Sequence, residues 1–241
     1  MKEKRWNGTD SGKTDLICKL TVDNILFLSE KRLPNVFNKK NAMPHNDDYT
    51  VRVRVPGGDW KDLFEYNVQV DMDRVQDASM VQFDMGSPVE VMVKKNNGMI
   101  HEVDIRPQAR KVQYVQNKNV IMFTLDKPQY LSVEFNGDRL HNLHLFANPM
   151  ETETYSKEEK GVMYFGPGVH RPKDLPNNQI RIPGNTTVYL APGAVVKAKL
   201  LLDKVKNVRI IGRGILDHPV RGIEITDSKN IVIDGITVVN P

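Results

Sequence analysis

The heptapeptide KNVRIIG at residues 206–212 returns as KNIVIDG at residues 229–235, an offset of 23 residues. A weaker copy of the pattern starts at Asn185, which precedes Asn207 by 22 residues. The repeated segments are rich in aliphatic and β-branched residues and lack helical periodicity. A period of this length with strands and no helix is typical of a solenoid of stacked β-coils. Residues 162–241 are therefore expected to form such coils.

Equivalent positions in successive repeats predict which side chains stack in this solenoid. The expected interior ladder consists of Val188, Ile210 and Ile233. The neighbouring faces are expected to carry Leu190, Ile215 and Val238. A ladder at one corner is expected from Asn185, Asn207 and Asn230. Asparagine tolerates the backbone conformation of a tight turn, and its amide can hydrogen-bond to the next rung. The asparagines therefore receive a structural role rather than a ligand-binding one.

The earlier part of the chain, from residue 50 to residue 148, alternates between apolar and polar side chains. The segment VRVRV at residues 51–55 is one example, and turn signals such as PGGD at residues 56–59 separate such segments. Period-two alternation is typical of half-buried antiparallel strands. Many short strands separated by turns favour a β-sandwich. The predicted fold class is all-β: an N-terminal antiparallel β-sandwich followed by the first coils of a right-handed parallel β-helix.

Changes in composition suggest the domain boundaries. We expect a flexible basic arm at residues 1–14, the β-sandwich at residues 15–155, a polar linker at residues 156–161, and the start of an incomplete parallel β-helix at residues 162–241.

The net charge of +4 gives no sign of a nucleic-acid partner. Residues 1–40 hold nine Lys or Arg against five acids, so the whole surplus lies there and the rest of the chain is balanced. A nucleic-acid binder carries its basic face on the folded part of the chain. Since no apolar run approaches 18 residues, no membrane-spanning helix is expected either.

Three segments carry a family resemblance. They are similar to the opening coils of a polygalacturonase-type right-handed parallel β-helix, and their sequences are YFGPGVH at residues 164–170, IPGNTTVYLAPGAVV at residues 182–196 and GRGILD at residues 212–217. The end of the β-domain, LHLFANP at residues 143–149, and the order of sandwich and helix resemble the related dextranase and isopullulanase type enzymes. The resemblance implies a secreted or periplasmic glycoside hydrolase that inverts the anomeric centre. It favours a pectin-like polygalacturonate as substrate, with a dextran-like glucan second.

The resemblance assigns no catalytic residue to this chain. In that family the acids lie on adjacent rungs, first in an Asn-x-Asp motif and then in an Asp-Asp pair, followed by Gly-His and Arg-x-Lys motifs. The chain is expected to end before these coils, so it is interpreted as the N-terminal portion of such an enzyme and is expected to be inactive alone. The single Asp-Asp pair, at residues 47–48, precedes the first clear sandwich strand and is expected to cap a turn.

Three residues are candidate substrate contacts. His218 and Arg221 follow residues 215–217 in an excursion that, in the resembled family, begins a loop beside the substrate cleft. An arginine there can bind a uronate carboxylate with two hydrogen bonds. Trp60 follows a Gly-Gly-Asp turn and can either stack on a sugar ring or cover the end of the sandwich.

No metal site and no cofactor are expected. His141 and His144 are three residues apart, which on a strand places them on opposite faces. The single cysteine, Cys18, excludes an internal disulfide framework and a cysteine zinc site.

The expected partner is a polysaccharide, and an open last coil is expected to pair edge to edge with a second copy of the chain. Two alternative functions remain. One is a non-catalytic carbohydrate-binding or adhesin module built on a β-helix. The other is a pectate-lyase-type enzyme, which needs clustered acids for calcium.

Overall fold

The computed structural model describes residues 43–71, 73–172 and 178–240, together with the backbone of residues 25–27. The expected basic arm and Cys18 lie outside the described residues. Within them, all regular structure is β-strand apart from one 3₁₀ turn, Gln108–Arg110, which confirms the all-β fold class. None of the described segments is a helix long and apolar enough to cross a membrane.

The first eleven strands form two sheets. In chain order they are β1 (Ile25–Phe27), β2 (Tyr49–Arg54), β3 (Lys61–Asp62), β4 (Tyr66–Val70), β5 (Gln76–Met85), β6 (Val89–Lys95), β7 (Val103–Arg106), β8 (Tyr114–Asn117), β9 (Val120–Leu125), β10 (Gln129–Phe135) and β11 (Asp138–Pro149). A six-stranded sheet has the order β1-β5-β11-β10-β7, with β4 also paired to β5, and a five-stranded sheet has the order β3-β2-β6-β9-β8. The two sheets share one apolar core, to which Val51, Val91, Phe83 and Leu145 all contribute.

The antiparallel sandwich predicted from the alternating pattern is confirmed, with one difference in topology. β5 and β11 pair in parallel, with Val81 opposite Leu145. Parallel neighbours need a long connection, and here the connection contains strands β6 to β10. The alternating pattern shows which residues face the core, but it does not show which distant strand will lie alongside β5.

The remaining eleven strands form the solenoid. They are β12 (Val162–Phe165), β13 (Gly168–His170), β14 (Gln179–Arg181), β15 (Thr187–Leu190), β16 (Ala194–Val196), β17 (Lys199–Asp203), β18 (Lys206–Gly212), β19 (Ile215–Asp217), β20 (Ile223–Thr226), β21 (Lys229–Asp234) and β22 (Thr237–Val239). They stack into three parallel sheets with the orders β12-β15-β18-β21, β13-β16-β19-β22 and β14-β17-β20. The described residues form three complete coils and two strands of a fourth, which confirms the predicted solenoid.

The asparagine ladder is confirmed at one corner of the solenoid. The Asn207 side-chain amide donates to Asn185 Oδ1 at 2.8 Å, and the Asn230 amide donates to Asn207 Oδ1 at 2.7 Å. All three residues have φ between 55° and 57°, the left-handed conformation that asparagine tolerates. Each rung therefore turns the same corner and bonds to the next.

The interior ladder is confirmed in position, but the repeat arithmetic is wrong by one residue at the next corner. Ile210 lies between Val188 and Ile233, as expected. Ile215, however, lies opposite Thr237, and Leu216 lies opposite Val238.

The fourth coil causes this shift because it has one residue fewer at the corner. A one-residue shift exchanges the two faces of a strand. Val238 of the fourth coil therefore stacks on Leu216, which is buried inside the solenoid, and not on Ile215, which is buried on its outside.

The outer face of the six-stranded sheet packs against the second solenoid sheet. One apolar cluster joins them, formed by Met43, Tyr66, Val68, Ala78 and Met80 from the sandwich and by Val195, Ile215 and Val239 from the solenoid. This contact explains why residues 78–85 of β5 are all buried rather than alternately buried. One face of β5 points into the sandwich core and the other towards the solenoid.

A buried ion pair accompanies this apolar contact. Arg213 Nε donates to both carboxylate oxygens of Asp84, at 2.8 and 3.0 Å. The Arg213 side chain is 7% exposed and the Asp84 side chain 0%. The β-sandwich ends with β11 at Pro149 and the solenoid begins with β12 at Val162, while the predicted linker bounds of 156–161 stay a prediction.

Candidate functional site

The structure separates the three candidate substrate contacts into two places. His218 and Arg221 lie in the same loop, between β19 and β20 of the solenoid. Trp60 lies just before β3, at the edge of the five-stranded sheet, and the solenoid packs against the other sheet of the sandwich. The Arg54 guanidinium lies 4.3 Å from the centroid of the Trp60 ring, so one face of the ring is covered. Trp60 therefore belongs to a different surface.

The backbone of the loop after β19 is tightly turned. His218 and Arg221 have φ values of 52° and 63°, and Gly222 N donates to Pro219 O at 2.9 Å. His218 N donates to Val239 O in the fourth coil at 3.2 Å. The loop thus presents the exposed side chains of His218 and Arg221 from a corner fixed by neighbouring coils.

A buried carboxylate anchors this loop. The Asp217 side chain is 1% exposed, and its Oδ2 is in contact with the Lys197 ammonium. His218 Nδ1 lies 2.6 Å from Asp217 Oδ1, and the same oxygen accepts a hydrogen bond of 2.7 Å from the Asn240 amide. The four residues form one polar cluster, which we call the Asp217 cluster. It spans the second, third and fourth coils.

The Asp217 cluster also bonds to the sandwich. Asn240 Oδ1 accepts a hydrogen bond of 2.6 Å from Gln69 N in β4. The Asn240 side chain therefore connects the fourth coil, the Asp217 carboxylate and the six-stranded sheet.

The pKa of Asp217 lies below its ordinary value. Burial acts to raise this pKa, but hydrogen bonds from Lys197 and Asn240 and the positive charges of Lys197 and His218 outweigh it. Asp217 is therefore ionised at neutral pH. Its role here is to hold the amine, imidazole and amide groups of its three neighbours in place.

A second carboxylate lies beside the loop, on β20. Glu224 is paired with Lys199 at 2.8 Å. The Lys199 hydrogen bond and charge, together with the charge of Arg221, hold the pKa of Glu224 below its ordinary value. Both carboxylates at this corner are therefore anions that already have cationic partners.

This geometry suits binding and positioning better than acid–base chemistry. Inverting hydrolysis of a glycosidic bond uses one carboxyl group with a raised pKa as the acid and a carboxylate as the base, about 6.5–9.5 Å apart. Asp217 and Glu224 both have lowered pKa values, so neither has the property of the acid. No group of three or more His, Cys, Asp or Glu that could hold a metal ion occurs among the described residues.

His218 and Arg221 of this corner were predicted from the sequence, whereas Lys197, Asp217 and Asn240 were not. Lys197 follows the paired residue Val196, and Asp217 follows its partner Leu216, so the two charges lie on consecutive rungs at the same place. Asn240 follows Val239, the partner of Asp217. Equal placement in successive repeats is the signal that could have found Lys197 and Asp217, whereas Asn240 lies one residue beyond the equivalent position.

The lowered pKa of Asp217 predicts a pH-dependent contribution to stability. A carboxyl group whose folded-state pKa is below its unfolded value stabilises the fold above the unfolded pKa, and loses that contribution as the pH falls through the folded pKa. We expect Asp217→Asn to lower the free energy of unfolding at pH 7, by about 1–3 kcal/mol for the loss of charged hydrogen bonds. The difference from the parent chain should shrink as the pH falls below about 4.

Urea unfolding of the two proteins at pH 7 and pH 3.5 measures this difference. A difference that stays constant across this range would contradict the proposed ionised state of Asp217.

Comparison with solved structures shows a likeness in fold. No family model and no curated protein matches the chain. The structure is similar to the solved structure of Dex49A from Penicillium minioluteum, with a TM-score of 0.59 and 20% sequence identity. The match covers 74% of this chain and 47% of Dex49A, so the chain spans about half the length of that neighbour. At this identity the likeness shows a shared fold, in which a β-sandwich is followed by a parallel β-solenoid.

Proposed function

We propose that the chain is the N-terminal portion of a polysaccharide-degrading glycoside hydrolase whose catalytic carboxylates lie on further coils of the solenoid. The observation that supports this proposal is the loss of burial along the interior ladders at the fourth coil. Val188 and Ile210 are fully buried, whereas their counterpart Ile233 in the fourth coil is 44% exposed. Leu216 is fully buried, whereas Val238 above it is 43% exposed. A following coil would cover both side chains, as each earlier coil covers the one before it.

The comparison supports the proposal at the level of the fold. The likeness to Dex49A agrees with the dextranase-type order of sandwich and β-helix expected from the sequence. The match leaves more than half of Dex49A without a counterpart in this chain. In the proposed enzyme those further coils carry the acid that protonates the leaving oxygen and the base that activates water.

The residues of this chain would then act on the substrate by binding. The loop after β19 offers the His218 imidazole and the Arg221 guanidinium as exposed hydrogen-bonding groups. The Asp217 carboxylate fixes the orientation of His218 from one side, at 2.6 Å. Rigid positioning of this kind lowers the cost of orienting a sugar chain along the solenoid.

A dextran-like glucan fits this corner better than the pectin-like uronan that the sequence favoured. A polyuronate carries one carboxylate on each sugar and needs cations that are not already neutralised. Lys197 is paired with Asp217 and Lys199 is paired with Glu224, which leaves Arg221 as the one cation among the described residues of this corner without an ion pair, close enough to Glu224 to lower the pKa of that carboxyl. An uncharged, hydroxyl-rich sugar needs only hydrogen-bonding partners. The proposed substrate is therefore a neutral glucan.

Release of reducing ends from dextran and from polygalacturonate tests this function. The 241-residue chain is expected to release none. A protein extended by its downstream coils is expected to hydrolyse dextran, with the inverted anomer as first product by NMR. An extended protein that binds polysaccharide without hydrolysing it would overturn the proposal in favour of the adhesin alternative. An unsaturated product would overturn it in favour of the lyase.

Light scattering tests whether the exposed fourth coil leads to self-association. We expect the 241-residue chain to pair edge to edge through this coil, because its free strand edges and apolar side chains are open to a second copy. The extended protein is expected to be monomeric. A concentration-independent monomer of the shorter chain would contradict the argument from exposure.

A further inference from the structure

A shallow groove of about 520 Å³ lies on the outer face of the six-stranded sheet, apart from the Asp217 cluster. Strands β7, β10 and β11 and the 3₁₀ turn line it. The side chains used below are those of Arg106, Gln108, Tyr130, Ser132, His144 and Phe146.

An exposed tyrosine is the main feature of the groove. Tyr130 is 57% exposed although it lies within β10, directly opposite Phe146 of β11. The two rings meet edge to face, with centroids 5.3 Å apart and an interplanar angle of 71°. The Tyr130 hydroxyl donates to Asn148 Oδ1 at 3.1 Å, which fixes the other end of the ring. The groove therefore contains a pre-oriented aromatic surface on a rigid strand, a typical element of recognition sites.

The charges around the groove compensate each other. The Arg106 guanidinium contacts Glu134 at 3.0 Å and Asp104 at 2.8 Å. Arg139 lies 4.0 Å from the same Glu134 carboxylate. Two guanidinium groups and two carboxylates thus neutralise one another. A polyanion finds no excess of positive charge here.

The polar groups that remain are neutral hydrogen-bonding partners. Ser132 Oγ lies between the Asn142 amide, which donates to it at 2.6 Å, and Glu134, to which it donates at 3.1 Å. Burial lowers the pKa of His144, although the charge of Glu134 acts in the opposite direction. The His144 imidazole is therefore uncharged at neutral pH and can both donate and accept.

We propose that this groove binds a segment of an uncharged polysaccharide, with one sugar ring stacked on Tyr130 and its hydroxyl groups bonded to Gln108 and His144. A sugar ring has an apolar C–H face and a polar rim, which match an aromatic ring flanked by neutral donors and acceptors. The charge compensation around Arg106 selects a neutral chain over a uronan.

The groove is continuous with the junction between sandwich and solenoid. Phe146 lines the groove and also packs against the apolar cluster that contains Val195, Ile215 and Val239 of the solenoid. A polysaccharide held on Tyr130 therefore lies next to the solenoid. This binding site does not require the proposed hydrolytic activity, and it gives the sandwich a role in holding the substrate.

Affinity electrophoresis in gels that contain dextran or polygalacturonate tests the site on the 241-residue chain. Dextran is expected to retard the chain, and polygalacturonate is not. Tyr130→Ala is expected to weaken dextran binding roughly tenfold, the equivalent of an aromatic contact of about 1.4 kcal/mol. Tyr130→Phe keeps the ring and should bind within about twofold of the parent chain. Tyr130→Leu keeps the apolar contact with Phe146 but not the flat ring, so it should bind as weakly as the alanine variant.

Two further variants locate the site. Tyr114 is a tyrosine of comparable exposure, 40%, on β8 of the other sheet, so Tyr114→Ala is the matched control and should bind normally. Loss of binding in Trp60→Ala with normal binding in Tyr130→Ala would overturn the proposal, as would stronger retention by polygalacturonate than by dextran. Thermal melting verifies that each variant is folded. Because Tyr130 is exposed, its substitution is expected to leave the fold intact.

The outcomes separate this proposal from the hydrolytic one. Absence of dextran retardation overturns the groove, whereas the hydrolytic function is judged by reducing ends released by the extended protein. Dextran binding that depends on Tyr130, in a protein that hydrolyses nothing when extended, would leave the groove supported and the hydrolase overturned.

Discussion

Arg213→Ala is expected to lower the free energy of unfolding by about 3–5 kcal/mol, because it leaves the Asp84 carboxylate buried without its partner. Arg213 Nε donates to both oxygens of Asp84, and its Nη2 donates to Pro149 O at 2.7 Å. Nη1 lies 3.2 Å from Gly212 O, to which it also donates. One side chain thus ties the third coil of the solenoid to β5 and to the end of β11.

The effect of this substitution depends on pH in a defined direction. Burial raises the pKa of Asp84, and the charge and hydrogen bond of Arg213 act against that rise. Without the guanidinium, the folded-state pKa of Asp84 rises further above its unfolded value. A carboxyl group with a raised folded pKa costs stability above that pKa and ceases to do so once it is protonated. The loss caused by Arg213→Ala should therefore be larger at pH 7 than at pH 4.

Arg209→Ala is the matched control for this prediction. Arg209 is in the same coil and pairs with Glu153 at 2.7 Å, but the two side chains are 37% and 48% exposed. An exposed pair of this kind contributes about 0–1 kcal/mol. Urea unfolding followed by circular dichroism measures both variants. Equal losses for Arg209→Ala and Arg213→Ala would show that burial of the Asp84 pair does not stabilise the junction.

A double substitution separates loss of the pair from loss of packing. Asp84→Asn combined with Arg213→Met removes both charges and keeps an apolar side chain of similar length. Replacing both partners of a buried pair is often close to neutral, whereas removing one leaves an uncompensated charge. The double variant should therefore be more stable than Arg213→Ala. If it is equally unstable, the loss arises from packing alone.

The repeat pattern was sufficient to predict the solenoid because the relevant information is local. Each coil repeats the same strand and corner within about 23 residues, so the corner asparagines and the interior position of Ile210 follow from sequence alone. The exception is the corner before β22, where the coil is one residue shorter. That change aligns Val238 with Leu216 and not with Ile215, which no average period could predict.

The contacts between the two halves of the molecule could not be predicted in the same way. Asp84 and Arg213 are 129 residues apart and carry no local pattern that links them. Their pairing exists only because the outer face of β5 packs against the second solenoid sheet. The parallel pairing of β5 with β11 likewise joins segments that are distant in the sequence. Both features depend on which distant surfaces meet.

The same distinction between local pattern and long-range contact applies to the candidate site residues. His218 and Arg221 were found because they follow a recognisable strand in the repeat. Tyr130 was missed, although a signal was present: it is an aromatic residue at a position of β10 that the alternation assigns to solvent. An aromatic side chain on an otherwise polar strand face merits attention as a possible contact surface.

Gly212→Ala is expected to destabilise the protein by more than about 3 kcal/mol, through overpacking and backbone strain acting together. A Cβ atom on Gly212 would lie 2.0 Å from the Leu190 carbonyl oxygen in the preceding coil. Gly212 also has a φ of 126°, a conformation that side-chain-bearing residues rarely adopt. The backbone of two coils approaches so closely here that no side chain can be inserted without moving a strand.

The displaced carbonyl is itself a bonded group, which adds to the expected loss. Leu190 O accepts hydrogen bonds from Arg213 N at 2.9 Å and from Gly214 N at 3.0 Å. Moving it away from Gly212 weakens both bonds, at about 1 kcal/mol each. The same movement shifts Arg213, so the strain at the corner is transmitted to the Asp84 pair.

Gly193→Ala isolates the backbone contribution to this loss. Gly193 also has a positive φ, 81°, but the nearest atom to a Cβ placed there is Pro167 Cβ, at 3.6 Å, which is ordinary contact. Its substitution should therefore cost only the backbone strain, about 1–2 kcal/mol. Thermal and urea unfolding of the two variants measure the difference. Equal losses would mean that the close approach of Gly212 to Leu190 adds nothing to strain. A larger loss at Gly212 would reflect the coil-to-coil contact together with its more extreme φ of 126°.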